Sequence, residues 1–367
     1  MKKAVAYHPR DGTSVILQFA FCNGHWTFSD RRALPHSIYN TPVRELDLLQ
    51  HIYSRNAALP SRVTIPPGDD MGAVTIGGVS VLITVDQIAE GVHFLSASTP
   101  IASIARKAIT RNLSDVAAMG AVPCAAVVAG CLPRSFGEAK ANAMFDAMRA
   151  VAMGHDCPLI GGDISIWDHP MLLSVTVLAE TQGIDPILRS GAKVGDVICV
   201  SGTLGGSLVE LDDPPGYVHH LDFEPRLKLG RKLASDAAIR PRCMMDLSDG
   251  LGKDLAHICR AGEGGVVGAE LWVDKLPISR AAHVASQRDG LPPWQHALGD
   301  GEDYELLFVV SPQVAEKLPY LIEGVPITQV GRITKRSGDE IIMLKMPDGS
   351  VAAMGEHGWE HRGDVSN

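Results

Sequence analysis

Six short segments set carboxylates beside glycine, serine or threonine: Gly68-Asp69-Asp70, Thr84-Val85-Asp86, Asn112-Leu113-Ser114-Asp115, Gly161-Gly162-Asp163, Asp246-Leu247-Ser248-Asp249 and Gly301-Glu302-Asp303. Most adjoin apolar runs, where a carboxylate is costly unless positive charge sits beside it. Hard cations with oxygen ligands meet that need, and Mg²⁺ normally arrives with substrate phosphates. The pattern points to a phosphate–metal cluster. Taken singly, each segment has a plainer reading. Gly68-Asp69-Asp70, after Pro66-Pro67, reads as a surface turn. Asp86, ending an apolar strand, reads equally as a helix cap. Asp115 reads as a solvated helix face or a partner of Arg111 one turn earlier. Ser248 or Asp249 can be an N-cap, and the acids at 302, 303 and 305 a solvated loop. Asp163 is more specific, because two preceding glycines let backbone N–H groups approach a ligand. The joint occurrence carries the argument.

Other phosphate-binding devices are missing from the sequence. It has no Gly-x-x-x-x-Gly-Lys-Ser/Thr loop, no Gly-x-Gly-x-x-Gly opening a helix and no kinase-type His-Arg-Asp loop. Gly202-Thr203-Leu204-Gly205-Gly206-Ser207 follows a strand, yet alone it is a weak phosphate signal. The histidines, His219-His220 included, lack zinc-site spacing. A nucleotide site here has to be built from metals and carboxylates.

The elements that must position these groups alternate between strand and helix patterns. Glu45–Ile52 has helical apolar spacing, and Ala73–Ile76 and Val79–Val85 read as strands around Gly77-Gly78. Ile101–Met119 is a long helix stopped by Gly120. Cys124–Cys131 reads as a buried strand, Phe136–Met153 as a helix and Leu172–Ala179 as a strand. In the second half, Val197–Ser201, Cys243–Leu247, Tyr304–Val310 and Thr328–Ile333 read as strands. Glu224–Ser235 and Leu251–Arg260 read as helices, and Asp212–His220 as a loop. Hairpin signals among alternating elements favour an α+β fold: two α/β-layered domains with mixed sheets covered by helices.

A length of 367 residues fits two domains. The expected division is an N-terminal extension at 1–44, a first domain at 45–186 and a second at 187–367, split before the turn-rich Arg189–Asp196. Within the extension, Ser14–Phe21 has strand character and Asn23-Gly24 is a hairpin signal. The polar, basic run Ser29–Pro42 favours a loosely anchored, disordered segment over an ordered hairpin. A net charge of -9 argues against a general nucleic-acid or anionic-membrane binder. The seven cysteines are scattered, without Cys-x-x-Cys spacing, which fits a reducing cytoplasm. No stretch approaches a membrane span, and Met1–Arg10 lacks the apolar core of a secretory signal.

The longer motifs resemble the thiamine-monophosphate kinase family, within the superfamily of aminoimidazole ribonucleotide synthetase and selenophosphate synthetase. The resemblance is carried by Pro67-Gly68-Asp69-Asp70-Met71-Gly72, by Thr84-Val85-Asp86 through Glu90-Gly91-Val92-His93-Phe94, and by Asn112-Leu113-Ser114-Asp115-Val116-Ala117-Ala118-Met119-Gly120-Ala121. Leu159-Ile160-Gly161-Gly162-Asp163, Arg189-Ser190-Gly191-Ala192, Asp246-Leu247-Ser248-Asp249-Gly250-Leu251 and Gly301-Glu302-Asp303-Tyr304-Glu305-Leu306 continue it in the family's order, over residues 45 to 362.

The resemblance implies ATP-dependent phosphorylation of thiamine monophosphate to thiamine diphosphate, with several Mg²⁺ ions. Asp70, Thr84, Val85 (through its carbonyl), Asp86, Asp115, Asp163, Asp246 and Asp249 would hold the metal. Gly162, Asp163, Arg189 and Ser248 would bind ATP, and His93, Glu302 and Trp359 would contact thiamine monophosphate. Asp115, Asp246 and Arg189 would carry catalysis. It further implies a homodimer formed through the first domain. Another acceptor within the superfamily, or a nucleotide-binding homologue of low activity, stands as the alternative.

Overall fold

The computed structural model describes residues 2–7, 15–22, 25–28, 45–212, 215–265, 267–336 and 338–355. Lys2–Tyr7 (β1), Val15–Cys22 (β2) and His25–Phe28 (β3) pair as an antiparallel sheet in the order β1-β2-β3. The extension expected to be loosely anchored therefore carries paired strands, while Ser29–Pro42 lies outside the described residues. These strands belong to one compact unit, and residues 49–355 belong to another. The helix Glu45–Tyr53 (α1) has the expected position.

Within the second unit, residues 63–180 build a six-stranded mixed sheet. Its strands are Val63–Ile65 (β4), Gly72–Ile76 (β5), Val79–Ala89 (β6), Val122–Pro133 (β7), Leu159–Trp167 (β8) and Leu172–Glu180 (β9), in the order β4-β5-β6-β9-β7-β8. Only β7 and β8 run parallel. Ile101–Ala118 (α2) and Glu138–Gly154 (α3) cover one face. Ile104, Ile109, Leu113 and Val116 line the buried side of α2 and pack on Leu82, Ile88, Leu173 and Val175. Alternation along β9 shows the consequence: Leu173, Val175, Val177 and Ala179 are buried, and the residues between them are half-exposed. Among the described residues of this unit, nothing covers the other face. In register, Val85, Thr176 and Val127 form one row of it and Ile83, Leu178 and Ala125 the next.

Residues 197–353 build an eight-stranded sheet, and it is clad on both sides. Val197–Ser201 (β10) sits centrally. Glu210–Asp212 (β11) and Pro215–Val218 (β12) form a separate hairpin, followed by the short helix His219–Asp222 (α4) and by Leu227–Ser235 (α5). The segment expected as a loop at 212–220 is therefore mostly hairpin and helix. Cys243–Asp246 (β13), Leu251–Ala261 (α6), Val267–Trp272 (β14), Arg280–Asp289 (α7), Pro293–Gly299 (α8) and Leu306–Val310 (β15) follow. Pro312–Ala315 (α9), Leu321–Ile322 (β16), Val325–Lys335 (β17), Ile342–Lys345 (β18) and Val351–Ala353 (β19) complete it. The order is β13-β15-β10-β17-β14-β18-β19, with β16 on β17. Helices α6 and α8 pack on one face, and α5 with the end of α2 packs on the other. Strands buried on both faces read as unbroken apolar runs, which is the pattern of Leu306-Leu307-Phe308-Val309-Val310. Gly120, ending α2 with φ 63°, lets this helix meet α5; a Cβ there would stand 2.4 Å from the Ala234 Cβ.

Candidate active site

The acids converge where α2, β6 and β13 meet. Asp70, Asp115 and Asp246 come from a turn, a helix and a strand end, yet each offers a carboxylate oxygen within 4.8 Å of the others. Thr84 and Asp86 leave β6 on its helix-covered side: Thr84 Oγ1 donates to Asp115 Oδ2 at 2.5 Å, and the Asp86 amide donates to Asn112 Oδ1 at 3.0 Å. Ser114 Oγ donates to Asp246 Oδ2 at 2.7 Å, tying α2 to the second sheet. The turn at Gly68 is folded over by Arg189. Its backbone N–H donates to Asp69 Oδ1 at 3.0 Å, and its guanidinium to Asp70 Oδ1 at 3.1 and 2.5 Å. Gly68-Asp69-Asp70 is thus a turn, but not a surface one at Asp70, which is buried in the acid triad.

Electrostatics mark the cluster as incomplete without a cation. Burial, with Asp86, Asp246 and Asp70 adding repulsion, pushes the Asp115 carboxyl well above the usual range. Burial and the Asp70 charge push Asp246 up to about 7. Asp70 is raised by burial even against Arg189, and its Oδ2 is buried without a hydrogen-bond partner. An all-oxygen donor set suits Mg²⁺, whose octahedral ligands at ~2.1 Å stand roughly 3–4 Å apart. The residues present therefore fit a hard divalent cation, and the orphaned Asp70 oxygen is the atom that most needs one.

Three expected ligands, Val85, Asp163 and Asp249, are not among the triad's carboxylates. Val85 points its side chain away from Thr84 and Asp86, to the uncovered sheet face, where it is 57% exposed. Asp163 sits in the row of Ala129, Ser174 and Gln87, three strands from β6 and so roughly 14 Å from it. Gly162 is needed for packing, since a Cβ there would stand 1.9 Å from the Val128 carbonyl oxygen. Asp249 pairs with Lys253 at 2.6 Å. Neither it nor Ser248 caps α6: Gly250 is the N-cap, and Asp254 Oδ2 accepts the amides of Asp249 and Gly250, both at 3.1 Å. Trp359 lies outside the described residues.

A second polar cluster surrounds Glu302. Lys107 is fully buried, and its Nζ donates to Glu302 Oε2 at 2.8 Å and to the His93 carbonyl at 3.1 Å. His220 Nδ1 lies 2.6 Å from that Nζ and 3.0 Å from Glu302 Oε2. Burial alone would raise the Glu302 carboxyl, but the His220 hydrogen bond and the Lys107 charge outweigh it and bring it down to about 2. Burial brings Lys107 down to about 8, against the pull of Glu302. The backbone here is strained at Glu302 and Tyr304, with φ of 56° and 50°, beside Gly301 at 72°. Amides of Glu302 and Tyr304 donate to Ser248 and Leu247 carbonyls at 2.7 and 2.8 Å, and Tyr304 stacks on Phe223 with ring centroids 4.0 Å apart.

The Gly-rich loop at 202–207 supports this strained segment. The Gly205 amide donates to Asp303 Oδ1, the Gly206 amide to Asp300 Oδ2, both at 2.8 Å, and Ser207 Oγ donates to the Gly301 carbonyl at 2.6 Å. The Gly205 and Gly206 amides are committed to acids and those of Gly202 and Leu204 to carbonyls, so the loop is a clamp. Sequence reasoning assigned no role to Lys107 or His220. Lys107 could have been found from its helical spacing to Asp115; His220, inside the stretch expected as a loop, gave no signal.

The family described as AIR synthase related protein, N-terminal domain, matches residues 68–181. A thiamine-monophosphate kinase of Rhodopirellula baltica is 36% identical over 302 residues, covering 80% of this chain and 90% of that protein. One from Haemophilus influenzae is 32% identical over 312 residues, again 80% and 90% of the two chains. The solved structure of AaThiL complexed with AMPPCP and TMP superposes with a TM-score of 0.70 at 26% identity, covering 90% of this chain and 100% of that one. With the acids converged as described and an identity above a third over nine-tenths of a curated relative, the chain belongs to the thiamine-monophosphate kinase family.

Proposed function

We propose that this enzyme transfers the γ-phosphoryl group of ATP to the phosphate of thiamine monophosphate, giving thiamine diphosphate and ADP. The observation that carries the reading is the meeting of Asp70, Asp115 and Asp246 beside Arg189, from segments up to 176 positions apart along residues 70–246. The acceptor is a phosphomonoester with a second pKa of ~6, so its oxygen is ionised at neutral pH and no general base is needed. The barrier is repulsion between two anions. Mg²⁺ held by Asp70, Asp115 and Asp246, with Thr84 and Asp86 beside them, would supply the charge that neutralises both phosphates. Arg189, held by Asp69 and Asp70, positions the nucleotide's phosphate chain. Glu302 and the His93 loop form the acceptor end, where a carboxylate favours a cationic ring. Transfer is in line and direct, because positioning and charge account for such chemistry without a protein nucleophile.

The dimer belongs to the same reading. The uncovered face bearing Ile83, Val85, Val127 and Leu178 suits a second copy, and Asp163 stands on that face, far from its own chain's cluster. Gly162 and Asp163 then serve ATP in the partner's site. The unpaired cysteines, of which Cys157, Cys199, Cys243 and Cys259 are buried, fit a cytoplasmic enzyme; no helix among the described residues is long and apolar enough to cross a membrane.

The test is an assay with ATP, Mg²⁺ and thiamine monophosphate. Wild-type protein is expected to release thiamine diphosphate and ADP. Asp115→Asn and Asp246→Asn are each expected to lower kcat by at least ~10³-fold, about 4 kcal/mol of transition-state stabilisation. Wild-type rates from both variants would remove the cation site from the mechanism.

A further inference from the structure

Resting on the phosphoryl-transfer reading, we infer that Arg111 is the side chain that receives the acceptor's phosphate group. Lys107, Arg111 and Asp115 are spaced four residues apart and share one face of α2. Both ends of this stripe are fixed. Lys107 holds Glu302 and the His93 carbonyl, and Asp115 stands in the acid triad. At 1.5 Å per residue the ends are roughly 12 Å apart along the axis. Such a span matches an acceptor with a cationic ring system at one end and a phosphate nearer the other. Arg111 lies between.

The guanidinium is anchored but underused. Its Nη1 donates to the Gln87 carbonyl at 3.1 Å. Its Nε lies 3.5 Å from Asp86 Oδ2, and this buried nitrogen has no hydrogen-bond partner. Among the described residues, only one of the five N–H donors of a guanidinium is therefore spent. The side chain is 14% exposed, so bulk water meets little of it. Tyr304, Asp86, Glu302 and Asp115 attract it and Lys107 repels it, and these groups belong to both ends of the stripe. A phosphate offers what is missing: oxygens that accept paired, charge-assisted hydrogen bonds from a planar fork. A cation kept only to balance acids would have no use for the phosphate, and this separates the two roles.

The experiment compares thiamine monophosphate with thiamine, which lacks the phosphate, by titration calorimetry with Mg²⁺ and without ATP. Wild-type protein is expected to prefer the monophosphate. Arg111→Gln is expected to lose at least tenfold of that preference while its affinity for thiamine stays within twofold. Arg111→Lys, which keeps the charge and loses the fork, is expected to fall between, and it decides the matter if the glutamine variant does not fold. An unchanged ratio of the two affinities in whichever variant folds overturns the inference. A wild-type protein that makes no thiamine diphosphate overturns the functional reading instead, so the two failures are told apart.

Discussion

In the sheet of residues 63–180 one face is left uncovered by the described residues of its unit, whereas the sheet of residues 197–353 is packed on both sides. The sequence pattern differs accordingly: β9 alternates between buried and half-exposed positions, while β13 and β15 are buried throughout. The first sheet leaves an apolar face open, and the second is a finished core. The acid cluster forms at the seam between them, on α2, the element that packs against both. A site at a seam can draw ligands from distant segments, because neither sheet alone supplies enough acids.

The contrast yields three measurements, in order of expected effect. Phe308→Ala, in the clad sheet, is expected to cost ~3–5 kcal/mol of unfolding free energy by urea denaturation, because its cavity opens between two covered faces. A cost near that of a surface change would mean the second sheet is not the rigid half. The seam is probed by acid. Glu302 is depressed to about 2 in the fold, against ~4.3 in an unfolded chain, so its stabilisation is present above ~4.3 and is lost as the pH falls toward 2. Lys107→Met is expected to flatten that acid limb by on the order of 2 kcal/mol. An acid limb identical to wild type would detach the Lys107–Glu302 pair from stability. Smallest in effect on the folded chain is the uncovered face. Ile83→Asp with Val85→Asp is expected to change unfolding free energy by under ~1 kcal/mol yet to convert a dimer into monomers in sedimentation velocity. A dimer that survives both charges would place the interface elsewhere.

Much of this was legible in the residues. Strands with unbroken or alternating apolar runs, and helices such as α2 with a clear stripe and a glycine stop, were visible because burial writes itself into periodicity. The convergence of Asp70, Asp115 and Asp246 was readable from the joint occurrence of their motifs. Other parts were not. Helix α7 buries Ala281, Ala282 and Ala285, residues too small to give a strong period; only its cap, Ser279 accepting from the Ala282 amide, left a local trace. Gly161-Gly162 read as a ligand approach, and its packing against the Val128 carbonyl was not legible, because glycine reads the same for either demand. The loop at 202–207 was ambiguous for the same reason, since free and committed amides look alike in a sequence. The partners of Asp300, His296 at 3.0 Å and the Gly206 amide, likewise left no mark in the sequence.

The left-handed run at Gly301, Glu302 and Tyr304 bears on kinetics. Amide and carbonyl partners from two other loops, together with a stacked ring, hold that geometry in the folded chain itself. The conformational work at this end of the cleft is therefore completed when the polypeptide folds. A ligand that enters here is expected to meet a preformed template, with no slow isomerisation of these residues gating its capture.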